Sequence, residues 1–479
     1  MTNPTHRSIS QRDLHLPKLL PKLKIGPKTS ISPPNTFNPI KSSISRSSLD
    51  FHNPIKLIPI KEPLNFIDSL ILKYSIASES QSHDLIHKVQ KIETVLFEWS
   101  SKKTYGNAPG SRVSSTLTSM PCGLLLFGGQ SGDRLSDLKL FNYEKLSWST
   151  VSISKDMEAP EPRDGHTALA YKHYLVVYGG AGGYNATLHS RTCSALLHLL
   201  DTNSMVWKIF KPLGRLPDPR RNHSAVILGS TMLVYGGINN NSEVLSDFQG
   251  VNLDLMQWFS VKFRKDSVRP GSKHSFSMTP VYHPSTSKFA FDIYTIPSIY
   301  DEDFNRKNTG IYIFGGMNSE NKVSNDLFLV QVIKKVARTD KNLLKIAKVE
   351  AFGTPPIARY GHSAGLCGKY LVVVGGRNDS LYSRSQQSSV SEIGAYNITN
   401  FCWEIVETVG NLPAGFWGMA SASLGSKFLF FGGMNLNSFA TNDLWVLETT
   451  QESLVKTNEK RRNGRRVTGD KKTTYKLFI

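Results

Sequence analysis

Residues 162–207 open with Pro162-Arg163-Asp164-Gly165-His166 and continue into an apolar run, Tyr174-Leu175-Val176-Val177-Tyr178, that stops at Gly179-Gly180. A variable segment follows. A second apolar run spans Ala195 to Leu200, and the stretch closes on Val206-Trp207. Runs of four to six residues rich in Val, Leu, Tyr and Phe, bounded by Gly, Asn and Pro, read as short strands. Being apolar on both faces, they belong inside a stack of sheets. The Gly pair ends a strand where the backbone turns sharply or another chain segment comes close.

The same pattern recurs along the chain, at Gly128-Gly129, Gly179-Gly180, Gly236-Gly237, Gly315-Gly316, Gly375-Gly376 and Gly432-Gly433. A histidine stands 13 residues before the doublet at His166, His223 and His362, and Ser115 and Met419 hold the same interval. His274 lies 41 residues before Gly315 and is assigned to the same set, with an insertion of 28 residues between them. Trp148, Trp207, Trp258 and Trp403 each follow a doublet in a later apolar run. Trp207 to Arg220 and Trp403 to Phe416 are both 13 residues, and counting back 13 from Arg359 lands on Ile346. Two independent rulers repeated over hundreds of residues predict an all-β, six-bladed β-propeller with four strands per blade.

The doublets, the later Tyr or Phe run and the spaced Trp resemble kelch repeats, over about Val95 to Glu448. The fourth unit lacks the Trp, and the first and sixth lack the His.

The ends of the chain give the domain plan. Residues 1–94 form a Pro/Ser/Lys-rich extension; nine prolines in residues 1–62 exclude a long helix or a central strand there. Leu64 to Leu85 is expected to carry a short helix packed on the propeller, a partner-binding helix being the alternative. Trp99 to Arg112 is again 13 residues, whereas Asn442 to Leu447 is a third strand with no fourth after it. The strand around Trp99 is therefore expected to complete the last blade and close the ring. Residues 95–448 make the propeller, and residues 449–479 a basic tail.

A formal net charge of +19 raises a nucleic-acid or anionic-membrane reading. Its distribution argues against one: 13 Lys/Arg against 7 Asp/Glu in residues 1–94, and 9 against 3 in residues 449–479. Nucleic acid is expected at most through the tail, where Lys460-Arg461-Arg462 and Arg465-Arg466 also fit nuclear import. Four cysteines without a C-x-x-C pair, no signal-peptide pattern and no run of 18 apolar residues point to a cytoplasmic protein that does not enter a membrane, with the nucleus as alternative.

Alternating strand direction puts the b–c and d–a connections on one face, the loop face. Partner contacts are expected from its b–c loops at Arg134, Tyr184, Asn185, His189, Arg191, Arg377, Asn378, Asp379, Tyr382 and Arg384, and from its d–a connections at Tyr360 and Trp417. These residue types supply guanidinium, aromatic and amide contacts suited to acidic or polar peptides. The repeated Arg163, Arg220 and Arg359, and the His set, are expected to be structural, as are Trp99 and the other ruler tryptophans. The opposite face is elaborated in the fourth unit, by the insertion at about Pro280 to Thr309 and a long connection from Val332 to Leu343.

No P-loop, Gly-x-Ser-x-Gly, H-E-x-x-H or metal-spaced cluster is present, so no enzyme, cofactor or metal is expected. The resemblance adds one comparison. The iron-binding Glu-x3-Asp-x3-His pattern of a kelch branch, the nitrile specifiers, is matched by Glu243 and Asp247 but ends at Val251. The resemblance implies a monomeric protein-binding scaffold or adaptor. A substrate-recognition subunit of a ubiquitin ligase, a metal-dependent kelch enzyme and a nucleic-acid-associated factor are the alternatives.

Overall fold

A computed structural model of the chain describes residues 94–153, 158–185, 190–281, 308–335, 342–380, 389–413 and 416–449. All lie in the second of two units, Tyr74–Ile479. The helix expected at 64–85 and the basic tail fall outside the described residues.

Six antiparallel sheets are arranged as blades. The innermost strands are Thr116–Met120, Asp164–Tyr171, Ser224–Leu228, Ser277–Val281, Ser363–Cys367 and Ala420–Leu424. Each touches the next, and the last touches the first, which closes a ring. Strand b of each blade is the apolar run that ends at the doublet, for example Thr231–Tyr235, buried along its whole length.

The rulers mark packing between blades. At four of the six doublets the aromatic residue before the Gly pair meets the Trp of the next blade. Ring centroids are 5.6 Å apart for Phe127–Trp207, 5.5 Å for Tyr178–Trp258, 5.6 Å for Phe314–Trp403 and 5.0 Å for Phe431–Trp148. Where the Trp is replaced, Ile346 fills the same interface beside Tyr235. Each pair removes two large apolar surfaces from water in a tilted or edge-on geometry that rings favour. The sequence repeats because each blade needs its neighbour to bury both faces.

Two positions explain the doublet itself. Gly179 and Gly180 have φ of 68° and 88°, a region that disfavours side chains. A Cβ on Gly179 would stand 2.5 Å from the His223 ring, and one on Gly180 2.7 Å from the His166 Cβ.

Ring closure occurs as expected. Thr94–Lys102 pairs antiparallel with Leu444–Thr449, Trp99 opposite Leu447, and supplies the fourth strand of blade 6. The same strand also pairs in parallel with Ile405–Gly410, which arrives from blade 5, Trp99 opposite Gly410. This second ladder belongs to a wider pattern absent from the expectation of four strands per blade. Tyr105–Gly106 covers the outer strand of blade 1, and Lys262–Phe263 that of blade 4, both in parallel. Single parallel bridges, Leu213 to Gln257 and Phe352 to Cys402, do the same for blades 3 and 5. The chain caps a blade's outer edge before threading inward, so exposed peptide groups that would invite another strand are paired.

A further closure lies at the start of the inner strands. Ser114, Gly165, Asn222, Ser275, Gly361 and Gly418 all have positive φ. The N–H of each donates to the carbonyl of its counterpart in the preceding blade, and Ser114 donates to Gly418. Six main-chain hydrogen bonds of 2.7–3.4 Å thus form a complete circle on the loop face.

The connection expected from Val332 to Leu343 is shorter than the sequence implied. Strands Leu327–Lys335 and Asn342–Lys348 run on as a paired ribbon, with an irregularity between Val332 and Lys334. All four cysteines are free thiols.

Candidate functional site

The residues just inside each blade sort into those that hold the ring and those that face outward. Arg112, Arg163, Arg220 and Arg359 are buried, and Nη1 of each donates to the carbonyl of the first doublet Gly 16 residues on, at 2.9–3.1 Å. In blade 4 Lys273 takes this role with Gly315, 42 residues on, at 3.0 Å, which sets the insertion at 26 residues rather than 28. The peptide carbonyl of the same basic residue, or of Phe416 in blade 6, accepts from the second doublet Gly of the preceding blade in five of the six joints. Each basic side chain therefore serves its own blade while its backbone serves its neighbour.

The histidines do similar work. Nε2 of His166, His223 and His362 bonds Thr116, Thr167 and Ser277 of the preceding blade at 2.9–3.0 Å. Their rings meet Phe127, Tyr178 and Phe314 edge-on. Burial, reinforced by the neighbouring Arg charge, lowers the pKa of His166 and His362 to about 3. They are neutral structural groups. His274 does not belong with them. Phe276 occupies this slot in blade 4, edge-on to Tyr235, and His274 stands two residues earlier on the rim. The 26-residue insertion makes the true interval 39, so counting from a histidine chose the wrong residue.

The rim set, of whose members Val113 and Ala181 are buried, comes from two positions in each blade. One follows the buried basic residue: Val113, Asp164, Arg221, His274, Tyr360 and Trp417. The other follows the doublet: Gln130, Ala181, Ile238, Met317, Arg377 and Met434. They pair across each blade by backbone bridges. Four b–c turns are built alike, the side chain of Asn239, Asn318, Asn378 or Asn435 accepting from backbone N–H groups two residues on, and in three of them four residues on as well. Asn378 is thus a buried turn anchor that also donates to the Ala358 carbonyl at 2.8 Å, not an exposed contact.

Arg134 is likewise corrected. Its side chain, only 10% exposed, spans from blade 1 to Asp164 at 3.1 Å and the Ala181 carbonyl at 2.8 Å in blade 2. It braces two blades. Tyr184 stands 62% exposed at the blade 2 tip. Asn185 and Arg191 sit in the pairing strands Tyr174–Asn185 and Ser190–Cys193. His189, Tyr382 and Arg384 lie outside the described residues.

Four predicted residues from two blades do converge. The Arg377 guanidinium lies 5.0 Å from the Trp417 ring and 6.0 Å from that of Tyr360. Its Nη2 donates to Asp379 Oδ1 at 2.9 Å, and Tyr360 Oη donates to Asp379 Oδ2 at 2.6 Å. Burial and the Asp379 carboxylate push the Tyr360 phenol well above its ordinary range, so it remains a donor. Arg377 is one-third exposed and Asp379 half exposed. Aromatic stacking and the ion pair fix a long cation in one orientation, which lowers the entropy lost when it contacts a partner.

The sequence reading missed Met317, Met434 and Phe439 on this face. Phe439 is 69% exposed at the tip of the Asn435 turn. The first two sit directly after a doublet, a position that the Arg377 assignment already marks as outward. Among the described residues, no group of three or more His, Cys, Asp or Glu is placed to hold a metal, and no helix is long and apolar enough to cross a membrane.

Comparison with known proteins agrees with this architecture. The KLHDC2/KLHL20/DRC7 Kelch-repeats domain family matches residues 76–281 and 301–469. Acyl-CoA-binding domain-containing protein 4 of Arabidopsis thaliana is 23% identical over 396 residues, covering 79% of this chain and 51% of that protein. The leucine-zipper-like transcriptional regulator 1 homolog of Drosophila melanogaster is 25% identical over 360 residues, 74% of this chain and 32% of that protein. The chain spans about half the length or less of these relatives. The solved structure of YjhT superposes with a TM-score of 0.52 at 14% identity, covering 70% of this chain and 95% of that one, which shows the shared fold.

Proposed function

The chain belongs to the kelch-repeat family, and from that premise we propose that it is a non-catalytic scaffold whose loop face holds a partner protein at Arg377, Trp417, Tyr360 and Asp379. The observation that carries this reading is the partly exposed cation set over two aromatic rings and bonded to the Asp379 carboxylate. Tryptophan, tyrosine and arginine dominate the binding energy of protein interfaces because they combine large area with directed hydrogen bonds. Arg163, Arg220 and Arg359 are buried against doublet carbonyls, whereas Arg377 is one-third exposed on the rim. The exposed Phe439 and the rim methionines Met317 and Met434 supply apolar area that adapts to a bound segment.

The test is affinity purification of the full chain against Arg377→Ala and Trp417→Ala. Both variants should retain the wild-type circular dichroism and melting temperature within about 2 °C, since surface changes of this kind cost little. Both should lose the same specifically captured proteins. Capture of an unchanged set by both variants would refute a partner site at this patch.

A further inference from the structure

Five blades carry a buried basic residue, and in four of them an acid stands at the start of strand c, Asp326 opposite Lys273 in blade 4 among them; blade 2 is the exception. In blade 1 Asp137 binds Arg112 at 2.7 and 2.9 Å; in blade 3 Asp247 binds Arg220 at 2.8 and 2.9 Å; in blade 5 Glu392 binds Arg359 at 2.6 Å. Strand register identifies the counterpart in blade 2. Leu138, Leu197 and Phe248 face Phe127, Tyr178 and Tyr235, so Leu196 stands where Asp137 and Asp247 stand. Leu196 is 43% exposed, although Arg163 is as buried as its counterparts at 4%. Arg163 bonds only main-chain carbonyls among the described residues, Nε to Glu161 and Nη1 to Gly179.

A second buried group borders the same position. In blade 3 Gln249, two residues beyond Asp247, donates to its carboxylate at 2.7 Å. The corresponding residue of blade 2 is His198, 3% exposed. Its Nδ1 lies 3.0 Å from the Glu158 carbonyl, to which it must donate, and its Nε2 has no partner. A buried guanidinium and a buried imidazole nitrogen thus flank the location where blade 3 carries a carboxylate. Burying polar groups in this way is costly unless another group completes the bonding.

We propose that blade 2 binds an acidic side chain of a partner protein, whose carboxylate accepts hydrogen bonds from Arg163 and from the Nε2–H of His198. Nδ1 keeps its bond to Glu158, so His198 takes one proton from solvent as the carboxylate enters and becomes the imidazolium. Burial is the main influence and lowers the His198 pKa, with the Arg163 charge adding to it, so the ring is neutral until a partner arrives. The bond to the Glu158 carbonyl and the Glu158 and Glu161 carboxylates favour the proton, as does the incoming acid. Binding therefore strengthens as pH falls from 8 to 6. The site is in a different blade from Arg377 and does not depend on that patch.

The test uses the full chain with methyl-labelled leucine. It is titrated with a pentapeptide blocked at both ends, carrying one central Glu or one central Gln in glycine. The Leu196 methyl resonances should report binding of the Glu peptide at least about tenfold tighter than the Gln peptide at pH 6, the worth of one charge-assisted hydrogen bond. The preference should shrink at pH 8. Leu196→Asp installs the carboxylate internally, so it should melt no lower than wild type and lose the Glu preference, read from neighbouring leucines. His198→Gln copies blade 3 and should keep the Glu preference while losing its pH dependence. Arg377→Ala should leave the preference intact, separating this site from the scaffold patch. Equal binding of the two peptides by wild type, or a Glu preference surviving Leu196→Asp, would overturn the proposal.

Discussion

Removal of the strand Thr94–Lys102 is the perturbation that most directly probes the ring. That strand contributes Val95 and Phe97, fully buried, and Trp99, 3% exposed, to the interface between blades 5 and 6. The Trp99 ring lies 5.4 Å from Phe430, 6.1 Å from Phe416 and 6.2 Å from Trp445. Truncating one such aromatic to Ala costs about 3–5 kcal/mol, and losing all three side chains about 8–12 kcal/mol. The second figure is comparable with the whole stability of a domain, about 5–15 kcal/mol. Deletion also strips six paired positions from Leu444–Thr449 and six from Ile405–Gly410, leaving two strand edges open. Trp99→Ala should therefore lower the melting temperature by roughly 5–10 °C. A protein beginning at residue 104 should lose the cooperative transition or aggregate. A synthetic peptide of residues 90–104, added in excess, should restore the transition, whereas the same peptide with Trp99→Ala should do so only at higher concentration. Scanning calorimetry with a light-scattering check suffices. Melting of the truncated protein at the full-length temperature would refute the closure argument.

Three further outcomes follow from the interior of the blades. Asp247→Asn should cost about 1–3 kcal/mol by leaving the buried Arg220 with a weaker acceptor, measured by urea unfolding. Arg163, which lacks an acid, places the cost nearer the lower end. His166 and His362 have folded pKa values near 3, against 6.5 in the unfolded chain, so the unfolded state binds protons first. Their contribution is complete above about pH 6.5 and is lost as pH falls towards 3, at up to about 1.4 kcal/mol per pH unit for each. His166→Phe, which copies the Phe276 of blade 4, should flatten that acid limb in melts between pH 4 and 7; an unchanged slope would contradict it. Gly179→Ala should destabilise by about 2 kcal/mol or more, since φ of 68° and the His223 ring both oppose a Cβ. A melting temperature equal to wild type would show that the doublet can yield.

The blade count, the strand order and the closing role of Trp99 were legible because they rest on spacing. A buried Trp must meet the large apolar residue before the preceding doublet, and a Gly must stand where a neighbouring ring leaves no room for a Cβ. Each requirement recurs at a fixed interval, so repetition exposes it. The same logic correctly read Arg220 and His223 as structural. It failed at His274, where an insertion broke the interval, and it could not see the parallel outer strands, which use short segments without a common residue pattern.

The site was legible only in outline. The sequence could place Arg377, Tyr360 and Trp417 on one face, because strand direction alternates. It could not show that Arg134 and Asn378, of the same residue types, turn inward, since that depends on Asp164, Ala181 and Ala358, far away in the chain or in another blade. Nor could it show that Leu196 interrupts a series of acids, because equivalence there is set by strand register across loops of different length. What a residue repeats is written in the chain, but what it touches is decided by the neighbouring blade, where hydrogen bonds and burial depend on segments that meet only after the ring has closed.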